Sequence, residues 1–302
     1  MKLSVLFTTY NAPVWLEKVL WGVSAQTHCD FEIIVADDGS GPETEHVIER
    51  MRSETGLSIR HVWHEDSGFR KCQILNKAIL YAQSDYLVFT DGDCIPRRDF
   101  LAEHAQQARP GAYLSGGYCK LPMSTSEAIG KDDILSGRCF DLDWLRANGL
   151  PRRRKNLKLT ASGRQAHILN RITPTRCNLK GSNASVWLKD AIRVNGFDER
   201  MQWGGLDREF GVRLINSGVH PRHVRYNAIC IHLDHPRGYR DAEMVKRNRA
   251  LRIANGRNRV VQTDYGISQL VAEGFKPADR TLGFDLWQQQ QGLSSINDND
   301  IL

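Results

Sequence analysis

An α/β fold, a mostly parallel sheet with helices on both faces, follows from three features of the sequence. Short, near-continuous hydrophobic segments alternate with longer amphipathic ones through the first half of the chain. The short segments are rich in β-branched and aromatic residues, which suits strands buried on both faces. Polar residues gather at their carboxyl ends, where open α/β sheets hold their ligand crevice.

Taken in order, the strands are "LSVLFT" (3–8), "FEIIVA" (31–36), "LSIRHVW" (57–63) and "YLVFT" (86–90). Helices fill the gaps at 14–25, 43–54 and 70–82; in the last, Ile74, Leu75, Ala78, Ile79 and Ala82 form one apolar face. Beyond "GAYLSGGYCK" (111–120) the alternation weakens, and ordered patterning resumes over 181–218. A further strand is expected within "RYNAICIHLDH" (225–235), then a basic helical segment over 241–254. The tail from Trp287 onward is polar, low in complexity and expected to be loose. The expected organisation is a ligand-binding half over 1–120, a second half over 121–240 with a basic insertion at 144–189, and a C-terminal extension over 241–302.

Composition excludes some classes. At 302 residues with 25% charged side chains the chain is an ordinary globular sequence, and no apolar run reaches membrane-spanning length. The seven cysteines are odd in number, scattered and without a C-x-x-C pair. That favours a reducing, cytoplasmic setting over a disulfide framework or a zinc site. The net charge of +6 is a local effect. Of 41 Lys/Arg, 11 fall in residues 144–189, which hold no acid; 30 then stand against 35 Asp/Glu elsewhere. Such a segment suits an anionic partner, and it can equally be a solvated loop.

Three strand ends carry the chemistry: Thr8, Thr9, Tyr10 and Asn11 after the first, Asp37 and Asp38 after the second, Asp91 and Asp93 after the fourth. Carboxylates at i and i+2 of an extended chain point the same way, so Asp91 and Asp93 can converge on one cation, Mn²⁺ or Mg²⁺ by their oxygen chemistry. Gly92 would let the backbone approach a ligand closely. An acidic turn before a helix would look the same. In "VADDGSG" (35–41), Ser40 or a neighbouring acid can cap the helix after Pro42, leaving Asp37 and Asp38 as free acceptors. Asp207 and Glu209 can be first-turn acids of a helix, and His232 a satisfied strand histidine.

"VLFTTYN", "VADDGS", "GFRKCQILNKAI" and "FTDGDCIP", in this order, resemble glycosyltransferase family 2, whose fold is GT-A. "GFDERMQWGGLDREFG" (196–211) is similar to the W-G-G-acid-Asp segment of galactosyltransferase-type C-terminal regions, as in chondroitin polymerase modules and β-1,4-galactosyltransferases. The resemblance implies a UDP-sugar site made by Thr8, Thr9, Tyr10, Asp37, Asp38, Arg70, Asp91 and Gly92, with Asp91 facing the ribose. It implies a metal on Asp93 and His232, with His235 in reserve. Lys180 and Asn183 of "KGSN", with Trp203, Gly204, Gly205 and Glu209, would meet the acceptor and donor sugars. Asp207 would be the base of an inverting transfer. Leu206 stands where the family usually has an acid that contacts the acceptor, so acceptor identity does not carry over.

The expected partners are a UDP-sugar, with UDP-galactose, UDP-N-acetylgalactosamine and UDP-glucose foremost, and a glycan or lipid-linked glycan acceptor of a lipopolysaccharide or capsule. Peripheral contact with an anionic membrane surface is a further expectation. The alternatives are a nucleic-acid-binding protein and a sugar nucleotidyltransferase. The first lacks regular aromatic interleaving, and its acidic strand ends repel phosphate; the second lacks its glycine-rich phosphate loop. No nucleic-acid partner is therefore expected.

Overall fold

The computed structural model describes residues 1–236 and 241–292. Strands β1 (Leu3–Thr9), β2 (Phe31–Asp37), β3 (Ile59–Trp63) and β4 (Tyr86–Asp91) lie where the hydrophobic runs predict them. Helices Pro13–Ser24, Pro42–Thr55 and Lys71–Tyr81 connect them. Two of these begin on proline, whose missing N–H and fixed φ cost nothing at a first helical position. Ser40 does not cap the second helix. Gly41 occupies the cap position without a side-chain bond, and Ser40 Oγ instead accepts from Asn11 N at 2.8 Å.

β5 (Cys94–Pro96), β6 (Ala112–Ser115), β7 (Gly117–Lys120), β8 (Asn183–Trp187), β9 (His220–His223) and β10 (Ile229–His232) complete two sheets. The larger runs β3-β2-β1-β4-β8-β6-β9 and the smaller β5-β10-β7. The large sheet is mostly parallel, but β8 runs antiparallel to both β4 and β6. Strand-to-strand alternation could not reveal that reversal, since β8 arrives after the long basic stretch.

Period-two alternation sends β1 residues to opposite faces. Leu3, Val5 and Phe7 join one core with the helices at 13–24 and 42–55, while Leu6 joins another with the helices at 71–81 and 206–216. All five residues of the predicted apolar face at 74–82 are buried. The basic stretch is not one loop. It folds into short helical turns and a helix, Gly163–Ile172.

The C-terminal helix Ala242–Arg257 packs along Leu206–Asn216, and Leu282–Gln290 packs on the helix at 71–81. The expected loose tail starts too early: Trp287 is buried inside that last helix. Residues 293–302 lie outside the described residues. None of the described helices is long and apolar enough to cross a membrane. All seven cysteines are free, five of them buried.

Candidate active site

Parallel register brings the strand ends together, with Thr8 beside Asp91 and Thr9 beside Asp37. β4 stops at Asp91, and residues 92–93 form a turn before β5. The turn breaks the extended-chain assumption, so the two acids take different partners. Asp91 Oδ1 accepts from Thr8 Oγ1 at 2.8 Å and from Lys71 Nζ at 2.7 Å. Asp93 turns towards β10. Gly92 has a structural reason of its own: a Cβ there would lie 3.0 Å from the Thr8 carbonyl and 3.3 Å from the Thr9 side chain. Its N–H donates to that same carbonyl at 2.8 Å, so the glycine seats the turn against β1.

Pairing of β5 with β10 sets Cys94 opposite His232, which delivers the histidines to Asp93. Nε2 of His232 and of His235 lie 3.7 and 3.2 Å from Asp93 Oδ2. In each ring Nδ1 donates to a backbone carbonyl, Leu233 at 2.7 Å and Pro236 at 2.9 Å. Metal-binding histidines are oriented in this way, with the second nitrogen held by an outer partner. Asp93, Cys94 and His232 offer ligand atoms that all lie within 4.8 Å of one another. Burial pushes the Cys94 thiol far above its ordinary pKa, so it stays protonated and donates to Asp93 at 3.4 Å. Burial alone would raise the Asp93 carboxyl; the hydrogen bond from His235 and the charges of both histidines outweigh it and hold Asp93 low. An anionic oxygen and two fixed imidazoles fit a divalent ion.

Asp207 stands in the first turn of the helix at 206–216, after Gly204 and Gly205, whose φ of 83° and 86° only glycine adopts readily. Its Oδ2 accepts from Gly181 N at 3.1 Å and its Oδ1 from Arg208 N at 2.8 Å. Burial lifts its pKa above the ordinary value, and those backbone bonds offset only part of the rise. Glu209, two residues on, is fully buried. It forms a bidentate pair with Arg213 at 2.7 and 2.8 Å and accepts from Asn255 at 2.8 Å. The expected sugar contact for Glu209 is therefore corrected to a core ion pair. Asn183 is corrected likewise. It is fully buried, donates to the Gly117 and Ala228 carbonyls and takes His104 on its Oδ1, tying the two sheets together.

The turn at 37–38 also departs from expectation. Asp37 is buried, with Ser40 N on one oxygen and His61 Nε2 on the other, each at 2.9 Å. Asp38 takes His64 Nε2 at 2.8 Å and Arg70 N at 3.0 Å. These oxygens are not free acceptors, because the histidines of β3 and its following turn reach them. Arg70 lies beside this turn, its guanidinium donating to Gln73 and the Glu65 carbonyl. Tyr10 is half exposed and donates to Asp66 at 2.9 Å, while Thr9 is buried with no partner on its hydroxyl. Trp203 packs against Phe69 with centroids 3.9 Å apart and ring planes tilted by 40°, and Lys180 Nζ donates to the Gly116 carbonyl at 3.2 Å.

Sequence reasoning missed Lys71. Burial opposes its charge, but Asp91 first, then Asp93 and Asp207, overcome that and raise its pKa. One ammonium thus senses acids from two distant motifs. A signal was present: Arg70 and Lys71 open a helix with no acid in its first turn, against the helix dipole.

Residues 4–120 match the family model "Glycosyl transferase family 2", and residues 175–236 match "N-terminal domain of galactosyltransferase". Chondroitin synthase of Escherichia coli is 27% identical over 78% of this chain and 35% of its own length. Validoxylamine A glucosyltransferase of Streptomyces hygroscopicus subsp. jinggangensis is 30% identical over 72% of this chain and 52% of its own. The chain thus spans about a third to a half of these two relatives. Among solved structures, S. aureus TarS 1-349 with UDP-GlcNAc aligns with a TM-score of 0.55 at 14% identity, covering 98% of this chain and 74% of that one. A mannosyltransferase from Pyrobaculum calidifontis with GDP-Man and Mn²⁺ aligns at 0.52 and 18%, covering 96% and 68%. The sheet is thus of the GT-A type, with a segment at residues 4–120 that matches glycosyltransferase family 2 and one at 175–236 that matches the galactosyltransferase model.

Proposed function

We propose that this glycosyltransferase is inverting and metal-dependent, moving a hexose or N-acetylhexosamine from a UDP-sugar to a glycan of a bacterial-type surface polysaccharide. The observation that carries the reading is the pair of acid centres at the strand ends: Asp91 held by Lys71 at 2.7 Å with Asp93 facing two histidines, and Asp207 held by Gly181 N at 3.1 Å. Two carboxylate centres with opposed pKa shifts then share one crevice: Asp93 held low, Asp207 raised. Residues 1–120 would bind the nucleotide and 121–240 the acceptor. The polysaccharide synthases among the relatives support a lipopolysaccharide or capsule acceptor, and the scattered free cysteines support a cytoplasmic site of action.

Asp93, His232 and His235 would hold Mn²⁺ or Mg²⁺; the two imidazoles favour the transition ion. When bound, such an ion supplies Lewis-acid stabilisation of the leaving diphosphate. Asp207 accepts the proton of the acceptor hydroxyl as its oxygen bonds the anomeric carbon. The bond from that carbon to the phosphate oxygen breaks, and its electron pair leaves with UDP. Backbone N–H groups from Gly181 and Arg208 fix the carboxylate, so little reorganisation is needed. One in-line displacement with one base inverts the centre, and an α-linked donor yields a β-linked product.

The experiment is a screen of UDP-sugars and GDP-mannose with Mn²⁺, Mg²⁺ or chelator, read as thermal stabilisation and then as nucleoside diphosphate release. Metal-dependent stabilisation by one UDP-sugar is expected. Release of pyrophosphate, or equal turnover in chelator, would sink the reading.

A further inference from the structure

We propose that Lys158, Lys180 and Arg225 form a binding site for an anionic group, phosphate or carboxylate, carried by the acceptor. The inference rests on the transferase reading above and names the acceptor class.

The basic stretch divides in two once folded. Arg152, Arg153, Arg154 and Lys155 are exposed, as a solvated face would be. Lys158 is not: it is 9% exposed and its ammonium donates to the Tyr118 carbonyl at 3.3 Å. Lys180 donates to the Gly116 carbonyl, two residues earlier on the same edge. Arg225 is half-buried, with its Nε buried and without a partner. Among the described residues none of these three cations makes an ion pair. Buried cations are ordinarily paired with carboxylates, because desolvation without a counter-charge is costly. Burial first, then Arg225 and Lys180, pulls the Lys158 pKa down to about 8. Burial and Arg225 likewise lower Lys180. Arg225 Nη1 donates to Thr175 Oγ1, but its unmet Nε among mutually repelling cations without a counter-charge describes a site completed by an anion from outside.

Position assigns that anion to the acceptor. Lys180 is followed by Gly181, whose N–H holds Asp207, the group that takes the acceptor's proton. The Tyr118 ring stands 5.5 Å from the His232 ring and 6.0 Å from the Lys180 ammonium, between the cations and the diphosphate end of the crevice.

The test uses the full chain with Mn²⁺ and saturating UDP, titrated with inorganic phosphate by calorimetry. Phosphate is expected to bind beside UDP. Lys158→Met and Arg225→Met should each weaken it about tenfold or more, the usual loss for one charged hydrogen bond. UDP binding should be unchanged, and Lys158→Arg should retain phosphate. Acetate competing in place of phosphate would assign the acceptor group as a carboxylate; failure to compete would assign a phosphate. If UDP displaces phosphate and both methionine variants lose UDP, the cations serve the donor and the proposal falls. Equal phosphate binding by all variants also overturns it. If UDP never binds with metal but phosphate binding still depends on Lys158, the anion site stands and the transferase reading fails.

Discussion

The turns at 37–38 and 91–93 look alike in sequence, each an acidic pair closing a hydrophobic strand, yet they are built differently. At 37–38 all four carboxylate oxygens accept from groups of the same half: Ser40 N, His61, His64 and Arg70 N. At 91–93 Asp91 takes Thr8 and Lys71 of its own half, but Asp93 faces His232 and His235 from the second half, at and just beyond the end of β10. A turn satisfied by its neighbours is architecture. One whose Asp93 faces two imidazoles from the second half of the chain can exchange that contact for a ligand, and the contrast predicts different losses.

The largest effect is expected at Asp93. Asp93→Ala should abolish most turnover while the thermal transition stays cooperative, and His232→Ala and His235→Ala should each weaken metal dependence less severely. Full activity of Asp93→Ala in chelator would erase the contrast between the two turns.

Asp207→Asn comes next. It keeps size and cannot take a proton, so kcat should fall by about 10²–10⁴-fold with donor binding retained. Because burial raises the Asp207 pKa, the wild-type kcat should fall as pH drops, starting above the range of an exposed aspartate. The carboxylate is the active form, so loss lies on the acid side. A profile flat down to the ordinary aspartate range would remove Asp207 as the base.

Glu209→Gln should act on stability instead. Leaving Arg213 buried without its charge partner should cost about 3–5 kcal/mol, read by denaturant melts, with kcat per folded molecule preserved. A stable but inactive variant would return Glu209 to the sugar site.

The smallest effect separates structure from binding at the first turn. Asp37→Asn leaves a buried donor facing Ser40 N or His61, a loss of about 1–3 kcal/mol. An unchanged melt with a raised KM for the donor would instead make Asp37 part of the uridine pocket, and the two turns would then be alike after all.

Much of this was legible. Hydrophobic period placed the first four strands and three helices to within two residues, because buried parallel strands leave long apolar runs between polar ends. The antiparallel β8 was not, since a single strand carries no mark of its direction. Nor was the burial of Asn183 and Glu209: polar side chains read as surface until their partners, the Gly117 and Ala228 carbonyls or Arg213, are known.

By itself the sequence determined the layered α/β class, the crevice at the strand ends and the candidate acids Asp91 and Asp93, since local pattern and spacing are written along the chain; Asp207 came from the resemblance of its segment. Only the tertiary structure decided which acids remain available. Lys71 meets Asp91 across 20 residues, His232 meets Asp93 across more than a hundred, and Gly181 holds Asp207 across 26. A carboxylate's pKa and partners depend on what lies within a few ångströms in space, and chain order does not encode that distance.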